Sequence, residues 1–197
     1  MVLRSGVLAF EWYAPGWDGR TVGRTMSVTK SVASLMVGQA IGDGRLGGVD
    51  APLGDLVAGI ADAGVARLTL ARLLRMDSGI AYREGLIPWH DDARVYHGSR
   101  LRLRAPRVRL TDPVGRYFHY NDWHPLLVAL ALERAGGASV AGLLPRDLRG
   151  PLGGGPARLS LDRRGASAPG PLESGFHTSA HRLARFGPLV LQPGSWE

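Results

Sequence analysis

The chain has 197 residues, 45% hydrophobic and 21% charged, enough for one domain with a sizeable core or for two small lobes. It has no cysteine, which excludes disulfides and thiolate metal sites, and no apolar run reaches the ~18 residues that cross a bilayer. Its formal charge is +7 with a pI near 10.7, and the excess gathers in GSRLRLRAPRVRL, where Arg100, Arg102 and Arg104 alternate with Leu101 and Leu103. That alternation predicts an extended segment with one polar and one apolar face. The arginines read as a solvated face, because no nucleic-acid-binding motif or aromatic interleaving accompanies them.

In chain order, VLRSGVLAFEWY predicts a strand, a tight turn at Arg4-Ser5-Gly6 and a second strand. The same start lacks the charged, apolar, small-residue order of a signal peptide, so the chain as written is expected to be soluble and cytoplasmic. APGWDGR is a loop. SVTKSVASLMVGQAIG, from Ser27, is apolar nearly all round with its first glycine at Gly38, which predicts a buried helix broken at GDGRLGG. Residues 50–76 carry helical periodicity, clearest in LTLARLLRM, and MDSGI is a turn. Residues 80–112 are polar, Arg-rich and weakly periodic, and read mostly as loop. WHPLLVALALERAG, residues 123–136, predicts a strong helix with Pro125 near its first turn and Gly136-Gly137 as its stop. PLGGGP and APGP mark residues 149–172 as loop-like. SAHRLARFGPLVL is a last helix with Ser179 as N-cap, and the chain ends at GSWE. No strand is expected after residue 110. A lone hairpin is marginal in water, so its partner strands are expected beyond residue 197.

Lys30 is the one lysine among 24 basic residues, in the stretch MSVTKS. At a helix start, residues three apart share a face, which sets Ser27 beside Lys30. A serine hydroxyl needs a partner to take its proton before it is an effective nucleophile. Burial lets a lysine give up its charge, whereas an arginine stays protonated. This accounts for a lysine surviving in an otherwise arginine-only chain. Ser-x-x-Lys alone is a weak motif, and a lysine in an apolar helix is costly unless it has a partner. A second element stands in RYFHYNDWHPLLVALALERAGG, where Tyr120 precedes the strong helix and is followed by Asn121-Asp122. A phenol near a cation can serve as a base; the alternative for Tyr120 is an aromatic packed at a helix entry.

Together these residues resemble the serine β-lactamase and penicillin-binding-protein superfamily, nearest its class C β-lactamase-related branch of esterases, D-amino peptidases and amide-oligomer hydrolases. MSVTKS matches the first motif, Ser-x-x-Lys. LLRMDSGI, residues 73–80, matches Leu-Leu-x-x-x-Ser-Gly, and FHYNDWHPLLVALALERAGG matches Tyr-x-Asn followed by a helix. GDGRLGGVDAPLGDL resembles the turn after the catalytic helix, and SGFHTSAHRLARFG the segment that closes the helical lobe. The resemblance implies an α/β (α+β) β-lactamase/transpeptidase-like fold, read as one partial domain over residues 1–197. In it residues 1–45 hold the sheet hairpin and catalytic helix, residues 46–197 form a mainly helical lobe, and the remaining C-terminal strands are absent. It implies Ser27 as the acylated nucleophile, Lys30 assisting its deprotonation, and Tyr120 as the phenolate base that protonates the leaving group. The Ser27 backbone N–H would be one arm of an oxyanion hole. Asn121 and Asp122 would contact substrate, a small-molecule amide or ester, with no cofactor, metal, nucleic acid or membrane span.

The sequence departs from the family in places. Asp122 stands where the family most often has Asn, and an ionised acid cannot donate a hydrogen bond. The third motif, Lys- or His-x-Gly, lies beyond the last helix in the family. His177-Thr178-Ser179 imitates it but comes before that helix, and reads as loop plus cap. Val114 replaces the proline usual before Gly115, and Arg182 replaces an early-helix acid. His90, Asp91, Asp92 and His97 read as an irregular polar loop rather than metal ligands, Trp89 and Tyr96 as lining or covering a cleft, and Asp77-Ser78-Gly79 as a turn. The rival readings are a truncated, non-catalytic relative lacking the third motif, and an Arg-rich module for an acidic partner.

Overall fold

The computed structural model of the chain describes residues 1–85, 87–149, 153, 157–160, 172 and 174–191. The loop expected at PLGGGP and APGP falls almost wholly outside the described residues, as does the terminal GSWE.

Strands β1 (Val2–Arg4) and β2 (Val7–Phe10) form the expected antiparallel hairpin. Its turn residues Ser5 and Gly6 both have positive φ, 50° and 76°, the left-handed pair whose twist matches a two-residue hairpin. A second sheet was not legible in the sequence. Strand β3 (Val22–Arg24) pairs antiparallel with β5 (Phe176–Ser179), which pairs on its other side with β4 (Ala157–Leu159). The expectation of no strand after residue 110 is therefore corrected. His177-Thr178-Ser179 is central strand rather than loop, and Ser179 is its last residue before the final helix. Strands of three or four residues are too short to display alternation; their pairing partners hold them.

Helix α1 (Val28–Gly42) starts at Ser27 as predicted. It buries Thr29, Val32, Ala33, Met36, Val37 and Ala40, while Val28, Ser31, Gly38 and Gln39 are exposed. The expected all-round burial is thus one-sided: its Ala, Gly and Val residues make the helix uniformly apolar in composition, but spacing at i, i+3 and i+4 selects the face that packs. Short helices α2 (Leu53–Leu56), α3 (Ala63–Ala66) and α4 (Leu70–Leu74) follow, as the periodicity of 50–76 anticipated. Residues 80–112, expected as loop, instead contain α5 (Asp91–His97), α6 (Leu101–Arg104) and a 3₁₀ turn at Ala105–Arg107. In α6 the residues Leu101 and Leu103, two apart, point to different sides: Leu101 is 2% exposed and Leu103 59%. Their alternation was thus not a strand signal, and Arg102 pairs with Glu133.

Helix α7 (Trp123–Gly136) has the predicted boundaries and ends at Gly137 in the left-handed conformation, φ 66°. Its residues Leu126, Leu127, Ala131 and Leu132 belong to the main core, and the helix packs against α1. Helix α8 (Val140–Leu144) is capped by Ser139, and α9 (Ala180–Leu191) follows β5 directly. Among the described residues no single helix is long and apolar enough to cross a membrane.

Candidate active site

Ser27 sits where β3 gives way to α1. Arg24 is the last paired residue of β3, opposite His177 on β5. The pairing is prolonged by Thr25, whose N–H and hydroxyl both donate to the Phe176 carbonyl, at 2.9 and 3.0 Å. Met26 then takes a positive φ of 50°, unfavourable for a side chain with a Cβ, and turns the chain sharply into the helix. Thr29 secures the turn from inside: it is fully buried, donates to the Met26 carbonyl, and accepts from the Phe176 N–H at 3.1 Å. The nucleophile candidate is thereby tied to β5 across about 150 residues of sequence. Thr25, Thr29 and β5 were missed by sequence reasoning; the one signal was a lone hydroxyl on the buried face of an apolar helix.

One turn on from Ser27, the Lys30 ammonium donates to Ser27 Oγ at 3.2 Å. Its side chain is 11% exposed, and it lies 2.6 Å from Asp122 Oδ1, an ion pair rather than an aligned hydrogen bond. The ammonium also lies 4.8 Å from the centroid of the Tyr120 ring, which is 39% exposed. The structure thus brings Ser27, Lys30, Tyr120 and Asp122 together.

It places Asn121 elsewhere. Asn121 is fully buried; its amide donates to the Ile80 carbonyl at 3.0 Å and its oxygen accepts from the Trp123 N–H at 2.9 Å. Expected as a substrate contact, it instead ties the start of α7 to the segment after the Ser-Gly turn. Asp122, the other expected substrate contact, is 3% exposed and turned inward, with Oδ2 accepting from the Tyr82 hydroxyl at 3.0 Å.

The loop before Tyr120 is held at its base by the LLRMDSG segment. Gly115 N–H donates to the Asp77 carbonyl at 2.8 Å and His119 N–H to the Met76 carbonyl at 2.7 Å. Gly79 has φ 74°, and a Cβ there would collide with the Asp112 carbonyl, so glycine is required where the turn was predicted. Ser78 beside it is buried, with its hydroxyl 2.6 Å from His124 Nε2. Asp91 accepts from the Arg83 N–H at 2.9 Å and from Trp123 Nε1 at 3.3 Å, and Asp92 from the Gly85 N–H at 3.4 Å. Among the described residues no three His, Asp or Glu side chains gather to hold a metal. Trp89 is 66% exposed and Tyr96 38%.

His124 has a measurable consequence. Burial, with the His119 charge second, pushes its pKa from the usual 6.5 down to about 3. Below pH 6.5 the unfolded chain takes up a proton at His124 that the folded chain refuses until about pH 3. The stability due to the neutral ring is therefore complete above this window and is lost as the pH falls through it, by up to about 1.4 kcal/mol per pH unit. Urea unfolding across the window should show that slope, and His124→Gln should flatten it.

Comparison with curated proteins finds no match. Among solved structures, the chain resembles a candidate β-lactamase from Bacteroides dorei DSM 17855 with TM-score 0.77 and 21% identity, covering 98% of this chain and 57% of that one. It resembles a candidate 6-aminohexanoate-dimer hydrolase from Bacillus anthracis with TM-score 0.78 and 18% identity, covering 99% of this chain and 54% of that one. A penicillin-binding protein from Bacillus halodurans matches with TM-score 0.70 and 18% identity, over 90% of this chain and 62% of that one. The chain spans a little over half the length of the first two and shares their fold, an α+β arrangement of small antiparallel sheets and helices. The Beta-lactamase family model matches residues 1–196, and the chain belongs to that family.

Proposed function

We propose that this chain carries the nucleophile of a serine hydrolase, and that Ser27 attacks the carbonyl of an amide or ester. The observation that carries the reading is the Lys30 ammonium, which donates to Ser27 Oγ at 3.2 Å while ion-paired to Asp122. An ammonium in that place stabilises the alkoxide as the proton leaves. Tyr120 receives the proton as base; Oγ bonds the carbonyl carbon, and the tetrahedral oxyanion forms. No described residue accepts from the Ser27 N–H, which leaves it available to that oxyanion. Collapse breaks the bond to the leaving group, which takes the proton back from Tyr120. A water molecule then hydrolyses the acyl-enzyme by the same steps. β-Lactams, peptides and simple esters all fit this chemistry, and fold does not choose among them.

A second reading is a relative that binds such a ligand without turning it over. Rapid mixing with a p-nitrophenyl ester separates the two. The hydrolase reading predicts a burst of p-nitrophenol, one per chain, before slower turnover, and the second predicts no burst. Tyr120→Phe, which keeps the ring and removes the phenol, should slow the burst by about 10²- to 10⁴-fold with the fold intact. An unchanged burst in that variant removes Tyr120 from the role of base.

A further inference from the structure

Asp122 occupies the N-cap of α7, yet makes no side-chain cap bond to that helix. An aspartate at this position ordinarily accepts from the second or third N–H of the helix, a contact worth about 1 kcal/mol. Here the third helical residue is Pro125, which has no N–H, and the second N–H, that of His124, donates to the Asn121 carbonyl at 3.3 Å. The Asp122 carboxylate is left with two other contacts, one per oxygen: the Lys30 ammonium at 2.6 Å and the Tyr82 hydroxyl at 3.0 Å.

Tyr82 is 6% exposed and belongs to the main core; its ring and that of His119 pack in a T-shape with centroids 6.1 Å apart. Burial first, and the Asp122 charge second, push its phenol well above the usual tyrosine range. Its hydroxyl donates to Asp122 Oδ2 and gives the carboxylate one fixed direction. From Tyr82 to Ser27 the polar atoms form one chain: phenol, carboxylate, ammonium, hydroxyl, over 3.0, 2.6 and 3.2 Å. A long lysine side chain has many rotamers, and a charged contact fixed at its far end selects one of them.

We infer that Tyr82 is a positioning residue that acts through Asp122 to aim the Lys30 ammonium at Ser27. Its role in catalysis rests on the serine-hydrolase reading above, but its effect on Lys30 does not. In place of the family's usual Asn, this chain has an acid fixed from behind by a buried phenol. Tyr82 falls in a stretch whose sequence reads as loop.

Lys30 is the chain's one lysine, so lysine labelled with ¹³C at Cε reports on it alone. In the wild type the two Cε protons should give distinct signals, as in a side chain held in one rotamer. In Tyr82→Phe, which removes one oxygen, the two signals should draw together. In Asp122→Asn, which removes the charge at constant size, they should do the same. Melting curves taken alongside establish that the variants are folded. Acylation by a fluorophosphonate should slow about 10-fold in Tyr82→Phe at unchanged probe affinity, the signature of misaim rather than lost binding. Distinct, unshifted Cε signals in folded Tyr82→Phe would overturn the inference; should that variant not fold, the same result in Asp122→Asn overturns it. A wild type that takes up no probe at all sinks the hydrolase reading, while the Lys30 signals still decide this one.

Discussion

Ser27→Ala is expected to lower acyl transfer to the background rate, a loss on the order of 10⁶-fold for a nucleophile in a working constellation, with the fold unchanged. The two halves of that result come from different parts of the structure. In the proposed mechanism the chemistry runs through one oxygen, Oγ, so alanine would leave nothing to acylate. The fold does not depend on that oxygen. Ser27 is partly exposed, and the Lys30 ammonium that donates to it keeps its ion pair with Asp122. The turn into α1 is held by Thr25 and Thr29, not by Ser27. One net hydrogen bond contributes about 1 kcal/mol, so unfolding free energies of the two proteins should differ by no more than that. A substrate assay paired with urea unfolding checks both halves; retained turnover in the variant would remove Ser27 from the mechanism.

Lys30→Met should fail in both respects. Methionine keeps the length of the side chain but removes the charge. The Asp122 carboxylate, 3% exposed, is then a buried anion with only the Tyr82 hydroxyl to balance it. Breaking one side of a buried ion pair costs about 3–5 kcal/mol, a large share of the ~5–15 kcal/mol by which a domain is stable. Replacing both partners costs less than replacing one, since no uncompensated charge remains. Lys30→Met with Asp122→Asn should therefore regain most of the lost stability. It should regain no acylation, because the ammonium is still missing. A double variant no more stable than Lys30→Met would mean that the ion pair is not what the single change breaks.

The parts of the site readable in the sequence are those set by local geometry. Ser27 and Lys30 are three apart, and a helix places them together without help from the rest of the chain. Helix α7 was readable from end to end because its periodicity is long and Pro125 and Gly137 punctuate it. The hairpin turn was readable because Ser5 and Gly6 suit a left-handed pair. What escaped depends on distant partners. Thr29 meets Phe176 across a separation of 147 residues, and Tyr82 meets Asp122 across 40. The strands β3 to β5 are stabilised by each other rather than by any pattern within them. The Arg-rich stretch misled because Leu101 and Leu103 alternate with arginines by composition, while the backbone there is helical. Asp122 was noticed as a departure and given a place at the substrate; its burial and its two partners show a carboxylate facing Lys30 and Tyr82.

The central claim is that Ser27 is an activated nucleophile in this chain. Intact mass after incubation with a fluorophosphonate tests it most directly, with wild type and Ser27→Ala side by side. One phosphonyl adduct on the wild type, located to the peptide bearing Ser27, and none on the variant, is the predicted result. A soluble, folded wild type that gains no mass, or a variant that gains the same adduct, would contradict it.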